Sequence, residues 1–201
     1  MRPSSRPLEF QNSVGFPLAE GLRLVDSLLV GAGLRDRVKL IGSGKVYNGF
    51  SLVRTLAHGA DLTNSARAFM FSLGCIQALK CNSNSCPTGI ATQNPDLESG
   101  LDVDSKSTRV ARFHAATLRA ALEIVGAIGV DSPSGVKPVH LFRRESGFKA
   151  KDFSQLSHSL FPTLDEPGCL LGSSRSPAVP AQLHAWWKHG AELHAKSKQL
   201  N

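Results

Sequence analysis

Ala60-Asp61-Leu62-Thr63-Asn64-Ser65-Ala66-Arg67 is followed by Phe69-Met70-Phe71-Ser72-Leu73-Gly74-Cys75, and then by Lys80-Cys81-Asn82-Ser83-Asn84-Ser85-Cys86-Pro87-Thr88-Gly89-Ile90-Ala91-Thr92-Gln93-Asn94-Pro95. The first five residues read as a short strand, and Ser65-Ala66-Arg67 as the small-residue turn that leaves it. Phe69 to Leu73 then form a helical turn that delivers Cys75. Cys75, Cys81 and Cys86 are separated by five and then four residues, and Pro87 follows the last of them directly, as in several iron-sulphur runs. Soft thiolates crowded into one short loop suit an iron-sulphur cluster or zinc, and three ligands match a cluster of three irons. The spacing is not the paired arrangement of a zinc ribbon. Spacing alone leaves two other readings open. One is a zinc site; in the other Cys75 is a buried small apolar residue and its neighbours are incidental.

Working outward, Val38-Lys39-Leu40-Ile41 reads as a β-branched strand ending in Gly42-Ser43-Gly44. A helix follows from Asn48, a good N-cap, through Leu52, Val53 and Leu56 to Gly59. Upstream, Phe16 to Leu34 predicts a helix with Pro17 in its first turn and Leu18, Leu22, Val25 and Leu29 on one face, stopped by Gly31 and Gly33. Downstream, a polar connector over 94–105 leads to a helix over Ser107 to Gly129 that buries Val110, Phe113, Leu118, Ala121, Leu122 and Val125. Helices alternating with short strands over connections of a few residues predict βα units and a parallel sheet, an α/β fold.

Beyond Gly129 the pattern weakens, and Phe148 to Pro180 is rich in Pro, Gly and Ser. A last helix is predicted over Ala181 to Gln199, with Trp186 and Trp187 packing it on the body. Its His184, His189 and His194 step by five residues, so they do not share a face and do not form a metal site. Cys169, far from the other three, reads as a packing residue. The chain thus divides into an α/β part over 1–145 and an extension over 146–201, largely helical and irregular.

Composition narrows the function. The chain has 201 residues, a net charge of +7 and 6% aromatics, and its Lys and Arg are scattered. Nucleic-acid binding needs a clustered basic stripe with interleaved aromatics, so it is excluded. No apolar run reaches the length of a membrane span, and the N-terminal residues lack the apolar core of a secretory signal. Close cysteines without a secretory signal favour a metal centre over disulphides and place the protein in the cytoplasm.

Two loops leave consecutive strand ends one βα unit apart: Gly42-Ser43-Gly44 and Ser65-Ala66-Arg67. Small residues let backbone amides approach an anion and Arg67 adds positive charge, which makes a phosphate cradle in principle. In (β/α)8 barrels the phosphate site is frequently built by the loops after strands 7 and 8. The bland alternative is a pair of tight strand-to-helix turns. With the cysteine loop directly behind, the arrangement points to a flavin mononucleotide (FMN) enzyme with an electron carrier beside it.

Residues 7 to about 145 resemble the C-terminal part of the FMN-binding synthase domain of glutamate synthases, in particular the short flavin-binding members. The resemblance rests on Pro7-Leu8-Glu9-Phe10, Gly15 to Leu22, Val38 to Lys45, Gly59 to Arg67, Phe69 to Cys75, Cys86 to Gln93 and Arg109 to His114. It implies the end of a (β/α)8 barrel, about its last two strands with their helices. It also implies a 3Fe-4S cluster on Cys75, Cys81 and Cys86. The FMN phosphate would lie against Gly42, Ser43, Gly44, Ser65, Ala66 and Arg67, with Lys45 facing the flavin. The implied reaction adds ammonia to 2-oxoglutarate and reduces the imine with hydride from reduced flavin to give L-glutamate, the cluster relaying electrons from ferredoxin or an NADPH-linked subunit.

The resemblance covers too little for a barrel, which needs about 250 residues. The parts that hold the flavin ring and 2-oxoglutarate are not matched, so no catalytic residue is assigned. Two parallel strands alone leave open edges and exposed apolar helix faces. The expectation is a truncated segment inactive by itself, in preference to one half of a split enzyme whose partner supplies the rest of the barrel. The alternatives are a non-catalytic metal-binding or regulatory fragment that docks on a full-length partner, and a 2-hydroxy acid oxidase type of flavin barrel. The last leaves the three cysteines unexplained.

Overall fold

The computed structural model describes residues 14–160. The tail helix with its tryptophans and histidines, and Cys169, lie outside the described residues.

The first helix, α1, spans Leu18–Gly31, with Pro17 at its N-cap. It buries Leu22, Arg23, Ser27 and Gly31, while Val25, expected inside, is exposed. The inner stripe is set by Arg23 and Asp26, which pair at 3.1 Å, and not by the leucine spacing alone. Strand β1 is Ile41–Ser43, later than the expected 38–41. The reason is local. The Leu40 amide donates to the Asp61 side chain at 2.8 Å and its carbonyl accepts from the Asp61 and Leu62 amides, so the regular ladder begins only beyond Leu40.

Helix α2, Gly49–Ala57, starts from Asn48 as the sequence predicts. The Asn48 side chain accepts from the Ser51 amide at 2.8 Å, and Ser51 Oγ accepts from the Asn48 amide at 2.9 Å. This reciprocal cap satisfies two donors that the first helical turn leaves without partners. Strand β2, Leu62–Asn64, runs parallel to β1 in the register Ile41 to Leu62, Gly42 to Thr63 and Ser43 to Asn64.

Helix α3, Arg67–Leu73, ends at Gly74 in the left-handed region. The expected connector over 94–105 is instead a short helix, α4 (Pro95–Glu98), and the start of α5 (Val103–Ala127). Its polar residues are caps: Asn94 accepts from the Asp96 amide, and Asp102 from the Ser105 amide. On α5, Ala121 and Val125 are buried and Val110 and Phe113 half-buried, as expected, but Leu118 and Leu122 are exposed. At 100° per residue Leu118 sits on the flank of the stripe and Leu122 beyond it.

The described start of the extension, up to residue 160, is more regular than its composition predicts. Strands β3 (Phe142–Ser146) and β4 (Lys149–Asp152) form an antiparallel hairpin that includes residue 145. Helix α6, Phe153–Leu160, follows at once, with Asp152 accepting from the Gln155 amide.

The core joins α2 to α5 through Val53, Ala57, Ala121 and Val125, closed by Val136 and Leu141, with Phe153 packed against it. Gly49 makes this crossing possible, since a Cβ there would lie 2.6 Å from the Ala121 nitrogen. Gly42 has the same role one layer in, where a Cβ would meet Thr55 Cγ2 at 2.3 Å. Among the described residues nothing covers the other face of the parallel pair, and the register neighbours Ile41 and Leu62 are 55% and 57% exposed. Among the described residues no helix is long and apolar enough to cross a membrane.

Candidate functional site

Parallel pairing brings the C-terminal ends of β1 and β2 side by side, so residues 43–48 and 65–67 leave the same end of the sheet. The two loops are tied directly, the Ser65 hydroxyl donating to the Val46 carbonyl at 2.6 Å. Ser43, Gly44, Lys45, Ala66 and Arg67 are exposed around this tie, and Lys45 adopts a left-handed backbone (φ 53°). Gly42 faces the helices, where it sets the approach of β1 to α2. Thus small residues and two cations gather at one sheet end, the donor set a phosphate needs. The Ser65 hydroxyl proton is already committed to Val46.

Helix α3 carries the chain from this end to the cysteines. Phe69 anchors it on α5, meeting Phe113 edge to face at 5.3 Å. The Cys75 amide then donates to the Met70 carbonyl at 3.0 Å. An apolar groove of about 610 Å³ runs between α3 and α5, lined by Phe69, Leu73, Val110 and His114 among others.

Residues 81–94 close on themselves. Asn84, in the left-handed region, accepts from the Gln93 amide at 2.8 Å through its side chain and from Thr92 Oγ1 at 2.6 Å through its carbonyl. Inside this belt Cys86 is buried, while Cys75 and Cys81 are half-buried. Thr88 Oγ1 lies 3.3 Å from Cys86 Sγ. Burial pushes the Cys86 thiol up, but the Thr88 hydroxyl and the amides of Ala91, Thr88 and Ile90 outweigh it and hold the thiol down at about 7. A sulphur so solvated is prepared to carry negative charge. Gly89 is required for the turn: its φ is +74°, and a Cβ would stand 2.2 Å from the Leu97 carbonyl oxygen.

Among the described residues no three of His, Cys, Asp or Glu converge as the ligands of one ion would. A three-iron cluster does not ask for that, because each thiolate binds its own iron. The donor chemistry at Cys86 fits such a group.

The chain matches, over residues 5–131, the family described as a conserved region in glutamate synthase. It belongs to the glutamate synthase family. Among curated relatives of this glutamate synthase segment, the glutamate synthase large subunit-like protein YerD of Bacillus subtilis (strain 168) is 39% identical over 140 residues, 69% of this chain and 27% of that protein. The archaeal glutamate synthase (NADPH) of Methanocaldococcus jannaschii is 31% identical over 150 residues, 75% of this chain and 29% of that protein. The chain thus spans somewhat more than a quarter of the length of these two relatives.

Within the glutamate synthase segment the strand-end residues named from sequence fall at one place, and the three cysteines fall on the loop that follows. Sequence reasoning missed the residues that hold Cys86: Thr88, Asn84 and Thr92. The signal was a threonine two residues past a cysteine, just before a glycine with a left-handed backbone. It also missed a staple at the opposite sheet end. There Arg35 bonds Asp26 at 2.6 Å, Asp61 at 3.0 Å and the Gly59 carbonyl at 2.8 Å.

Proposed function

We propose that this chain is the C-terminal segment of a glutamate synthase barrel, supplying the phosphate end of an FMN site and the ligands of a 3Fe-4S cluster. The observation that carries this is the buried, hydrogen-bonded Cys86 within a three-cysteine loop inside the family-matched residues. Cys75, Cys81 and Cys86 would hold the cluster. Ser43, Gly44, Lys45, Ala66 and Arg67 would surround the flavin phosphate, with Ser65 tying the two loops and Gly42 setting β1 on α2 behind them. The cofactors supply hydride and electron transfer when bound; the protein positions them and tunes their potentials.

The reaction proposed for the assembled enzyme is reductive amination of 2-oxoglutarate with ammonia to L-glutamate, fed by ferredoxin or an NADPH-linked donor. Thiolates kept for a metal centre fit a cytoplasmic location. The division near residue 145 puts β3 with the barrel part and β4 with the extension, so the hairpin is the join.

A second reading is favoured by the uncovered Ile41 and Leu62 face: a fragment without catalysis of its own that docks on the remainder of such a barrel. One experiment separates the cases. The full chain, purified without oxygen and reconstituted with iron and sulphide, is expected to hold about three irons with matching acid-labile sulphide. Cys81→Ser is expected to lose both and to block electron entry into an enzyme assembled with the missing strands, while flavin is retained. Zinc without sulphide would replace the cluster with a structural metal; full turnover by the substituted chain would remove the cluster from the mechanism.

A further inference from the structure

We propose that Thr88 is a positioning residue for the cluster: its hydroxyl donates to the Cys86 thiolate and raises the cluster's reduction potential. This rests on the three-cysteine cluster proposed above. The 3.3 Å contact between Thr88 Oγ1 and Cys86 Sγ can run in either direction while the sulphur keeps its hydrogen. A ligating thiolate has none, so with iron bound Thr88 must be the donor.

The hydroxyl is held where this matters. The Gly89 amide donates to the Cys86 carbonyl at 3.2 Å, closing a turn that returns Thr88 over the sulphur. The Gln93 amide, donating to Asn84 Oδ1 at 2.8 Å, and Thr92 Oγ1, donating to the Asn84 carbonyl at 2.6 Å, lock the belt outside that turn. The Asn94 amide extends the lock by donating to Thr92 Oγ1 at 3.1 Å. Thr88 therefore has its place set by the backbone before any metal arrives.

One-electron reduction adds negative charge to the cluster and its ligand sulphurs. A donor aimed at a ligand sulphur stabilises that charge more in the reduced state than in the oxidised one, so the donor favours reduction. The backbone donors to Cys86 survive any side-chain substitution. The Thr88 hydroxyl is the part of this environment that substitution can remove, and Thr88→Val removes it at nearly constant volume.

The test uses the full chain reconstituted with iron and sulphide and titrated electrochemically, the cluster followed by its electron paramagnetic resonance. Thr88→Val is expected to shift the reduction equilibrium about tenfold against the reduced state, equivalent to about 59 mV for one electron. Thr88→Ser keeps the hydroxyl and is expected to restore the wild-type potential. Equal potentials in the valine variant and the wild type would overturn the proposal, as would a serine variant that behaves like valine. Should Thr88→Val take up no cluster while its circular dichroism is unchanged, recovery of loading by serine upholds the donor role and failure of both variants overturns it. A wild-type chain that holds no iron and sulphide instead removes the cluster reading itself.

Discussion

The two ends of the β1/β2 pair are built differently. At the N-terminal end Arg35 joins α1 to the approach to β2, meeting Asp26, Asp61 and the Gly59 carbonyl, while Lys39 lies 3.7 Å from Asp61. Burial alone would raise the Asp61 carboxyl, but the Leu40 amide, Arg35 and Lys39 outweigh it and hold it below the usual range. At the C-terminal end the Ser65 hydroxyl ties the loops by donating to the Val46 carbonyl, and Ser43, Gly44, Lys45 and Ala66 are exposed. Ion pairs and hydrogen bonds hold the fold at one end, while small residues and Lys45 stand exposed at the other.

Substitutions sharpen this contrast in order of effect. Arg35→Ala takes one partner from each of two carboxylates and from a carbonyl in a half-buried place, Asp26 keeping Arg23 and Asp61 keeping the Leu40 amide and Lys39, and is expected to cost about 3 kcal/mol, read as a lowered urea midpoint. An equal loss from an exposed residue of the 43–48 loop would erase the contrast.

Next comes His58, which precedes Gly59 at the stapled end and stacks on Phe153 with ring centroids 4.6 Å apart. Among the described residues its Nδ1 is buried without a hydrogen-bond partner. Burial first, then the charges of Arg54 and Arg23, lower its pKa from 6.5 to about 4, partly opposed by Glu20. The unfolded chain therefore takes up the proton at higher pH than the folded one. The stabilisation from neutral His58 is complete above about pH 6.5 and falls as pH drops toward 4, by about 2 kcal/mol at pH 5. Unfolding followed from pH 7.5 to 5 tests this, and His58→Phe is expected to flatten that window. A wild-type curve already flat there would show that the imidazole is not held neutral by the fold.

The smallest effect on stability belongs to the open end. Lys45→Ala is expected to change the urea midpoint by no more than about 0.5 kcal/mol, as exposed substitutions do. The same change is expected to weaken FMN retention in an assembled enzyme about tenfold, one lost charge-assisted contact. A stability loss matching that of Arg35→Ala would place Lys45 in the fold and not at a ligand.

The cysteine loop and the extension differ in how openly they could be read. Cys75, Cys81, Cys86 and the Pro-Thr-Gly that follows form a short, chemically rare pattern, legible because spacing along the chain is itself the signal. The hairpin Phe142–Asp152 was not legible. Arg143, Arg144, Lys149 and Lys151 hide the alternation a strand would show, and Asp152, which ends β4 opposite Phe142, also caps α6 beyond it. Strand β1 was displaced for a similar reason, since Asp61, some twenty residues away, takes the Leu40 amide.

What the sequence determined by itself is the order of α/β elements from α1 to α3, the Asn48 cap, the family and the residue types of the two candidate cofactor positions. These are local properties, carried by periodicity, side-chain chemistry and spacing. The tertiary structure alone decided that Val25, Leu118 and Leu122 stay exposed, that Gly42 serves packing while its neighbours stay open, that Arg35 staples one sheet end, and that Thr88 stands over the Cys86 sulphur. Each of these depends on what another part of the chain places within a few ångströms, and a one-dimensional pattern does not carry that distance.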